Sequence, residues 1–258
     1  MPDRLEPRVA LVTGASRGIG RSLAEDLLDR GWRVAALSRD QDALAAFAGS
    51  APSDRILPLV ADVTDGPAMS QCFAALAALW RVPDLVVANA GVLAAVGPTW
   101  QTDPDDWWAG FEVNVRGVYT TLRNVLPAMV HRGSGRIVVT SSGMGRSPSP
   151  WSSAYGASKA ALIHLVGSVG AELTGSGVSI FAISPGMVRT AMTDWPHDLL
   201  AHRPDLATLP DSAYLPASRA CALVSDLASG RFDALSGRFI HVRDDREAML
   251  ARARATGR

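Results

Sequence analysis

The chain is 258 residues long, 48% hydrophobic and 19% charged, which suits one large domain with a sizeable core and excludes wholesale disorder. Its 25 basic and 25 acidic residues cancel to a formal net charge of zero, against the basic excess of a nucleic-acid binder and against long-range attraction to acidic membranes. Two cysteines, Cys72 and Cys221, exclude a disulfide framework and a cysteine-rich metal centre. The opening MPDRLEPRVALVTG lacks the layout of a secretory leader. The longest mostly apolar stretch, Leu85 to Gly97, is interrupted by Asn89 and is too short to span a bilayer. A cytoplasmic protein without membrane contact is expected.

Short apolar runs alternate with helical patterns. Arg8 to Thr13 reads as a strand, followed by a Gly-rich turn and a helix from about Gly18 to Arg30. Trp32 to Leu37 is a second strand and Gln41 to Ala48 a short helix; Ile56 to Ala61 is a third strand and Pro67 to Leu79 an amphipathic helix. Leu85 to Ala88 is a fourth strand, and a long helical region runs from Asp103 toward Val130, interrupted or bent near Pro127. Arg136 to Thr140 (strand), Ser153 to Leu173 (helix), Val178 to Ile183 (strand), Ala217 to Ser229 (helix) and Arg238 to Val242 (strand) complete the series. This rhythm predicts a parallel sheet covered on both faces. Two segments interrupt it: a Gly/Pro/Ser loop from Gly143 to Ser152, and a proline-rich insertion from Met187 to Pro216, expected to act as a substrate lid. The last twelve or so residues, from Glu247 onward, are expected to form a frayed helix or tail.

The turn after the first strand, Thr13 to Gly20, reads TGASRGIG. Glycines 14, 18 and 20 permit positive φ and bring backbone N–H groups close to a pyrophosphate at a helix N-terminus, where partial positive charge collects. The second strand ends A-L-S-R-D, so its tip presents Ser38 and Arg39 where an NAD site normally places a carboxylate for the ribose hydroxyls. Arg17, in the glycine turn, is expected to face the same ribose. Two guanidiniums grip a 2′-phosphate well, so the pattern points to NADP(H). Asp40, one residue on, is expected to cap the next helix.

The 25 basic residues include a single lysine, Lys159, four positions after Tyr155 and thus on the same helix face. A phenol with a pKa near 10 is a poor acid–base catalyst at neutral pH, and a nearby ammonium favours its ionised form. The strand before the Gly/Pro/Ser loop ends in Ser141 and Ser142, at the sheet edge where ligands bind in open α/β folds. A hydroxyl there can polarise a carbonyl while the phenol delivers a proton. No G-x-S-x-G elbow is present, and the five histidines lack metal-ligand spacing, so neither a serine nucleophile nor a metal is expected.

These residues resemble the short-chain dehydrogenase/reductase family, over about residues 8 to 242. Thr13 to Gly20 matches the family's TGxxxGxG turn, Asp62 its adenine-contacting aspartate, Asn89, Ala90 and Gly91 its NAG motif, and Asn114 its helix asparagine. Ser142, Tyr155 and Lys159 match the catalytic serine and YxxxK pair, while Pro185, Gly186 and Thr190 match PGxxxT. The resemblance implies a single Rossmann-like α/β domain with a doubly wound parallel sheet. It implies that Lys159 binds the nicotinamide ribose and lowers the Tyr155 pKa, Tyr155 exchanges the proton, Ser142 orients the carbonyl, and Asn114 holds a water of a proton relay. It also implies cofactor contacts by Ser16, Ile19, Val63 and Val188. The usual D-G-G after the last strand is replaced by Arg243, Asp244 and Asp245, expected to form a charged turn. A homodimer or homotetramer is expected.

Met144, Trp151, Met187 and Trp195 are candidates for an apolar substrate wall. The expected activity is reversible, NADPH-dependent reduction of a ketone or 3-oxoacyl carbonyl to an alcohol. The alternatives are an epimerase or dehydratase using the same phenol, and a non-catalytic NADP-binding scaffold.

Overall fold

In the computed structural model, residues 7–195 and 197–255 are described. The seven strands are β1 (Val9–Thr13), β2 (Arg33–Ser38), β3 (Ile56–Val60), β4 (Leu85–Ala88), β5 (Gly135–Thr140), β6 (Val178–Ser184) and β7 (Phe239–His241). They form one sheet in the order β3-β2-β1-β4-β5-β6-β7, and every pairing is parallel. Side chains alternate across a strand, so each strand feeds two cores. Ala10 and Val12 of β1 face the layer of α1 (Gly18–Asp29), α2 (Gln41–Gly49), α8 (Ala217–Ala228) and α9 (Arg246–Ala255). Val9 and Leu11 face α3 (Gly66–Leu79), α5 (Gly117–Arg132) and α6 (Ser153–Glu172). Phe181 of β6 is fully buried in the first core, a burial worth about 2–3 kcal/mol. The doubly wound α/β fold expected from the sequence is the fold observed.

The strand order reverses between β1 and β4, which opens a crevice at their carboxyl ends. Thr13 and Asn89 stitch that crevice: the Thr13 hydroxyl accepts the N–H groups of Asn89 (3.0 Å) and Ala90 (3.1 Å), and the Asn89 side chain donates to the Thr13 carbonyl (3.3 Å).

Three expectations need correction. The region after Asp103 is not interrupted at Pro127. It comprises α4 (Pro104–Phe111), a π-helical turn (Glu112–Arg116) and α5, which runs on through Pro127. The irregularity falls at Asn114, whose side chain is clamped to the backbone of Val92. The tail is not frayed over its described part: α9 buries Leu250 and Ala253, and Arg246 pairs with Asp226 of α8 at 2.7 Å. Residues 256–258 of the expected tail lie outside the described residues. Third, the last strand is shorter than expected, three residues, and is followed by the charged turn. Asp244 accepts the His241 N–H at 2.7 Å, and Asp245 caps α9 by accepting from Ala248 at 3.0 Å.

The insertion from Met187 to Pro216 holds three 3₁₀ turns and α7 (His197–His202). Pro196 lies outside the described residues. Its two ends meet, because the Leu215 N–H donates to the Met187 carbonyl at 2.7 Å.

Candidate active site

Gly14 and Gly18 both hold positive φ, at 67° and 57°. A Cβ on Gly20 would lie 2.2 Å from the Gly14 carbonyl oxygen, so the tight crossing of turn and helix requires glycine there. The N-termini of α2, α3 and α4 are capped by Asp40, Asp65 and Asp103, as expected for Asp40. At α1 the corresponding residue is Arg17, and no side chain caps the helix. The α1 terminus therefore combines close backbone access, unsatisfied N–H groups and a cation, a combination that fits a pyrophosphate. Thr190 lies over this turn, its methyl 3.3 Å from the place a Gly18 Cβ would occupy. Pro185 and Val188 are buried, and Gly186 packs its α-carbon face against Leu215 and Val242.

At the β2 tip the buried hydroxyls of Ser16 and Ser38 are 2.9 Å apart, joining the glycine turn to the strand end. Arg17 and Arg39 are exposed. Arg39 reaches Asp62 at 3.4 Å, while Asp62 also accepts from the N–H and hydroxyl of Thr64. Burial alone would raise the Asp62 carboxyl; the Thr64 bonds and Arg39 outweigh it and hold the group below its ordinary value. Val63 is buried and leaves no room for a side chain at position 117, where a Cβ would come within 2.5 Å of it. Ile19 is half-buried and packs against the core on the α1 side.

Three consecutive residues at the end of β5 face α6. The Thr140 carbonyl accepts from the Lys159 ammonium at 2.8 Å and the Ser141 hydroxyl donates to the Lys159 carbonyl at 2.8 Å. The Ser142 hydroxyl accepts from the Met144 N–H at 3.2 Å and lies near enough to the Tyr155 phenol to pull its pKa down. Lys159 is only 3% exposed, and burial lowers its pKa to about 8. Its Nζ stands 5.5 Å from the centre of the Tyr155 ring.

The lowering of the Tyr155 pKa by Lys159 is not observed. Burial pushes the phenol above its ordinary value, and only the bond to Ser142 pulls it back. The lysine's charge is drawn toward Thr140 instead.

Asn114 is fully buried. Its Oδ1 accepts from the Val92 N–H at 2.8 Å, and its Nδ2 donates to the Val92 carbonyl and the Ser158 hydroxyl, both at 3.0 Å. Gly91 brings Asn114 and Lys159 together: a Cβ there would stand 3.0 Å from Asn114 Oδ1 and 3.3 Å from Lys159 Nζ. Ser142, Tyr155, Lys159 and Asn114 thus form one cluster beside the glycine cradle. Thr140, Ser141 and Ser158 belong to it as well: sequence reasoning offers no role for Thr140 or Ser158, and Ser141, offered with Ser142 as a carbonyl-polarising hydroxyl, is turned to the Lys159 carbonyl instead.

The substrate-wall candidates are held by different contacts. Trp151 adopts a left-handed backbone (φ 67°) and stacks on His202 of α7, ring centres 4.8 Å apart. Its carbonyl accepts the Gly97 N–H at 2.9 Å. Met144 and Met187 are half-buried, and the Met144 carbonyl lies against Gly156, the residue after Tyr155. The indole nitrogen of Trp195 is buried without a hydrogen-bond partner among the described residues. In the same segment Arg189 pairs with Asp211 and lies over the Tyr214 ring. No cluster of three or more His, Cys, Asp or Glu able to hold a metal occurs among the described residues, and no described helix is long and apolar enough to cross a membrane.

A crevice at a topological switch point, a glycine cradle at a helix N-terminus and a Tyr–Lys–Ser–Asn cluster beside it define a dinucleotide-dependent oxidoreductase. Residues 8–198 match the family model for short chain dehydrogenase, and the chain belongs to that family. It is 33% identical over 270 residues to a short chain dehydrogenase of Pseudocercospora fijiensis, covering 98% of this chain and 86% of that one. It is 38% identical over 193 residues to the 2-(R)-hydroxypropyl-CoM dehydrogenase of Xanthobacter autotrophicus, covering 73% and 77%. Among solved structures it resembles a variant of actinorhodin polyketide ketoreductase with NADPH, at a TM-score of 0.84 and 27% identity over 92% of this chain and 96% of the other.

Proposed function

We propose that this protein reduces a ketone-class carbonyl to an alcohol with NADPH, reversibly. The observation that carries the reading is the double hold of the β5 end on Lys159, which sets a buried ammonium 5.5 Å from the centre of the Tyr155 ring with the Ser142 hydroxyl beside the phenol.

Gly14, Gly18, Gly20, Ser16, Thr190 and the Asn89–Gly91 turn would hold the dinucleotide, and Arg17 and Arg39 would serve its 2′-phosphate. NADPH, when bound, supplies the hydride. Ser142 donates a hydrogen bond to the substrate oxygen and draws electron density from the carbonyl carbon. Tyr155, kept protonated by its burial, gives its proton to the same oxygen as charge builds there. Lys159, held on the Thr140 carbonyl, would bind the nicotinamide ribose, and Asn114 holds the π-helical turn through which a water returns the proton. In the oxidative direction Tyr155 accepts the proton. Trp151, Met144, Met187 and Trp195 line the substrate side, and the 187–216 segment acts as the lid. The similarity to a ketoreductase whose structure was solved with NADPH supports the cofactor assignment. The same reading has the chain working in the cytoplasm as a homodimer or homotetramer, and the exposed Trp108 and Tyr119 on α4 and α5 suit a subunit contact.

The test is consumption of NADPH with a panel of ketones and 3-oxoacyl thioesters, followed at 340 nm with product analysis. Alcohol formed in step with NADPH loss is the expected result. Isomerisation or water loss without net NADPH turnover supports an epimerase or dehydratase instead, and binding without any turnover supports a scaffold.

A further inference from the structure

We propose that Ser158 is a positioning residue of the catalytic cluster, its buried hydroxyl fixing Asn114 against the first turn of α6, which carries Tyr155. The proposal rests on the reading of Tyr155 as proton donor.

Ser158 is fully buried. Its hydroxyl donates to the Tyr155 carbonyl at 2.8 Å and accepts from Asn114 Nδ2 at 3.0 Å. A hydroxyl is the smallest side-chain group that can do both at once. Serines elsewhere in the chain bond back to the carbonyl three residues earlier, which is an ordinary local habit of this side chain. Ser176 and Ser229 do so, and their hydroxyls otherwise serve only an N–H two residues on. Ser158 differs because its second bond spans 44 positions, to the residue around which the π-helical turn is built.

The Asn114 amide is otherwise committed to a single residue, Val92, through both its oxygen and its nitrogen. Val92 follows the Asn89–Gly91 turn on the cofactor side. Ser158 is therefore the link that ties this clamp to the helix bearing Tyr155 and Lys159. Removing the hydroxyl leaves one Asn114 N–H without an acceptor in a dry site and weakens the tie between the π-helical turn and α6. The phenol then loses its fixed placement against Ser142, the one bond that pulls its pKa down.

The experiment compares wild type with Ser158→Ala in three measurements. These are kcat for carbonyl reduction, the NADPH Kd by energy transfer from tryptophan, and the midpoint of Tyr155 ionisation by ultraviolet difference titration with Tyr155→Phe as the blank. A fall in kcat of about tenfold or more is expected, with the Kd changed less than about twofold and the midpoint raised by about half a pH unit. A folded Ser158→Ala with unchanged kcat and an unchanged midpoint overturns the proposal, and so does a loss confined to Kd. Should Ser158→Ala not fold, Ser158→Cys, of similar size and poor hydrogen-bonding power, carries the same comparison. A wild-type protein that reduces no carbonyl overturns the functional reading instead, and the titration midpoint still decides the role of Ser158.

Discussion

The Lys159 ammonium and the Thr140 carbonyl meet at 2.8 Å inside the protein, so the chain's single lysine is held by backbone and kept from water. Burial lowers its pKa from 10.5 to about 8. Between those two values the unfolded chain binds more protons than the folded one, so this residue's contribution to stability rises with pH across that window. Below pH 8 both states are protonated and the desolvation cost is fully felt. The expected outcome is that wild type gains stability relative to Lys159→Met, on the order of 3 kcal/mol between pH 8 and 10.5. Urea unfolding of both proteins at several pH values checks this; a difference that stays flat with pH contradicts it. Carbonyl reduction should likewise lose kcat/KM above pH 8 as the ammonium is neutralised.

Tyr155→Phe removes only the phenolic oxygen. Turnover should fall by about three orders of magnitude or more, since both the proton donor and the partner of Ser142 disappear. Cofactor affinity should change little. Steady-state kinetics alongside an NADPH titration separates the two, and near-normal turnover would remove Tyr155 from the proposed mechanism.

Gly91→Ala sets a methyl 3.0 Å from Asn114 Oδ1 and 3.3 Å from Lys159 Nζ. Both neighbours are anchored, so they cannot move aside without stretching the bonds to Val92 and Thr140. A loss of stability of about 1–3 kcal/mol is expected, with kcat reduced about tenfold. Thermal unfolding and kinetics on the same preparation measure both effects. An active, fully stable variant would mean that the cluster is looser than the distances imply.

Arg39→Asp replaces a guanidinium by a carboxylate at the β2 tip, and it also sets this residue against Asp62, its present partner. NADPH affinity should fall at least tenfold, or about 1.4 kcal/mol, while NADH affinity falls far less or improves. Paired titrations with the two reduced cofactors give the ratio directly. Equal losses for both would mean that Arg39 serves the loop and not the 2′-phosphate.

Much of this site is written in local sequence. The glycines at 14, 18 and 20 and the Tyr155–Lys159 spacing are consequences of nearby backbone geometry, and the structure brings them to one crevice. The strands were legible because buried parallel strands are short apolar runs with punctuated ends. What escaped depends on partners far along the chain. Pro127 looks like a helix breaker, yet α5 continues past it. The true irregularity is built by Asn114 reaching Val92, 22 positions away. Leu250 and Ala253 look like part of an arginine-rich tail until the core beneath α8 is in place to receive them. The spacing puts a lysine on the Tyr155 face of the helix but does not show how deeply the phenol is buried, and burial is what raises its pKa.

The stitching of β1 to β4 also bears on how the protein is made. The Val9 N–H bonds the carboxylate of Asp84, 75 residues away, and the Thr13 hydroxyl serves N–H groups 76 and 77 residues away. Such pairings close long loops before any contact compensates the entropy, so they slow folding. The α1 helix and its glycine turn form from adjacent residues, but the crevice has one wall until β4 arrives. Affinity for the dinucleotide therefore develops with the joining of β1 and β4, and a dinucleotide that captures this step pulls the last part of folding forward by mass action.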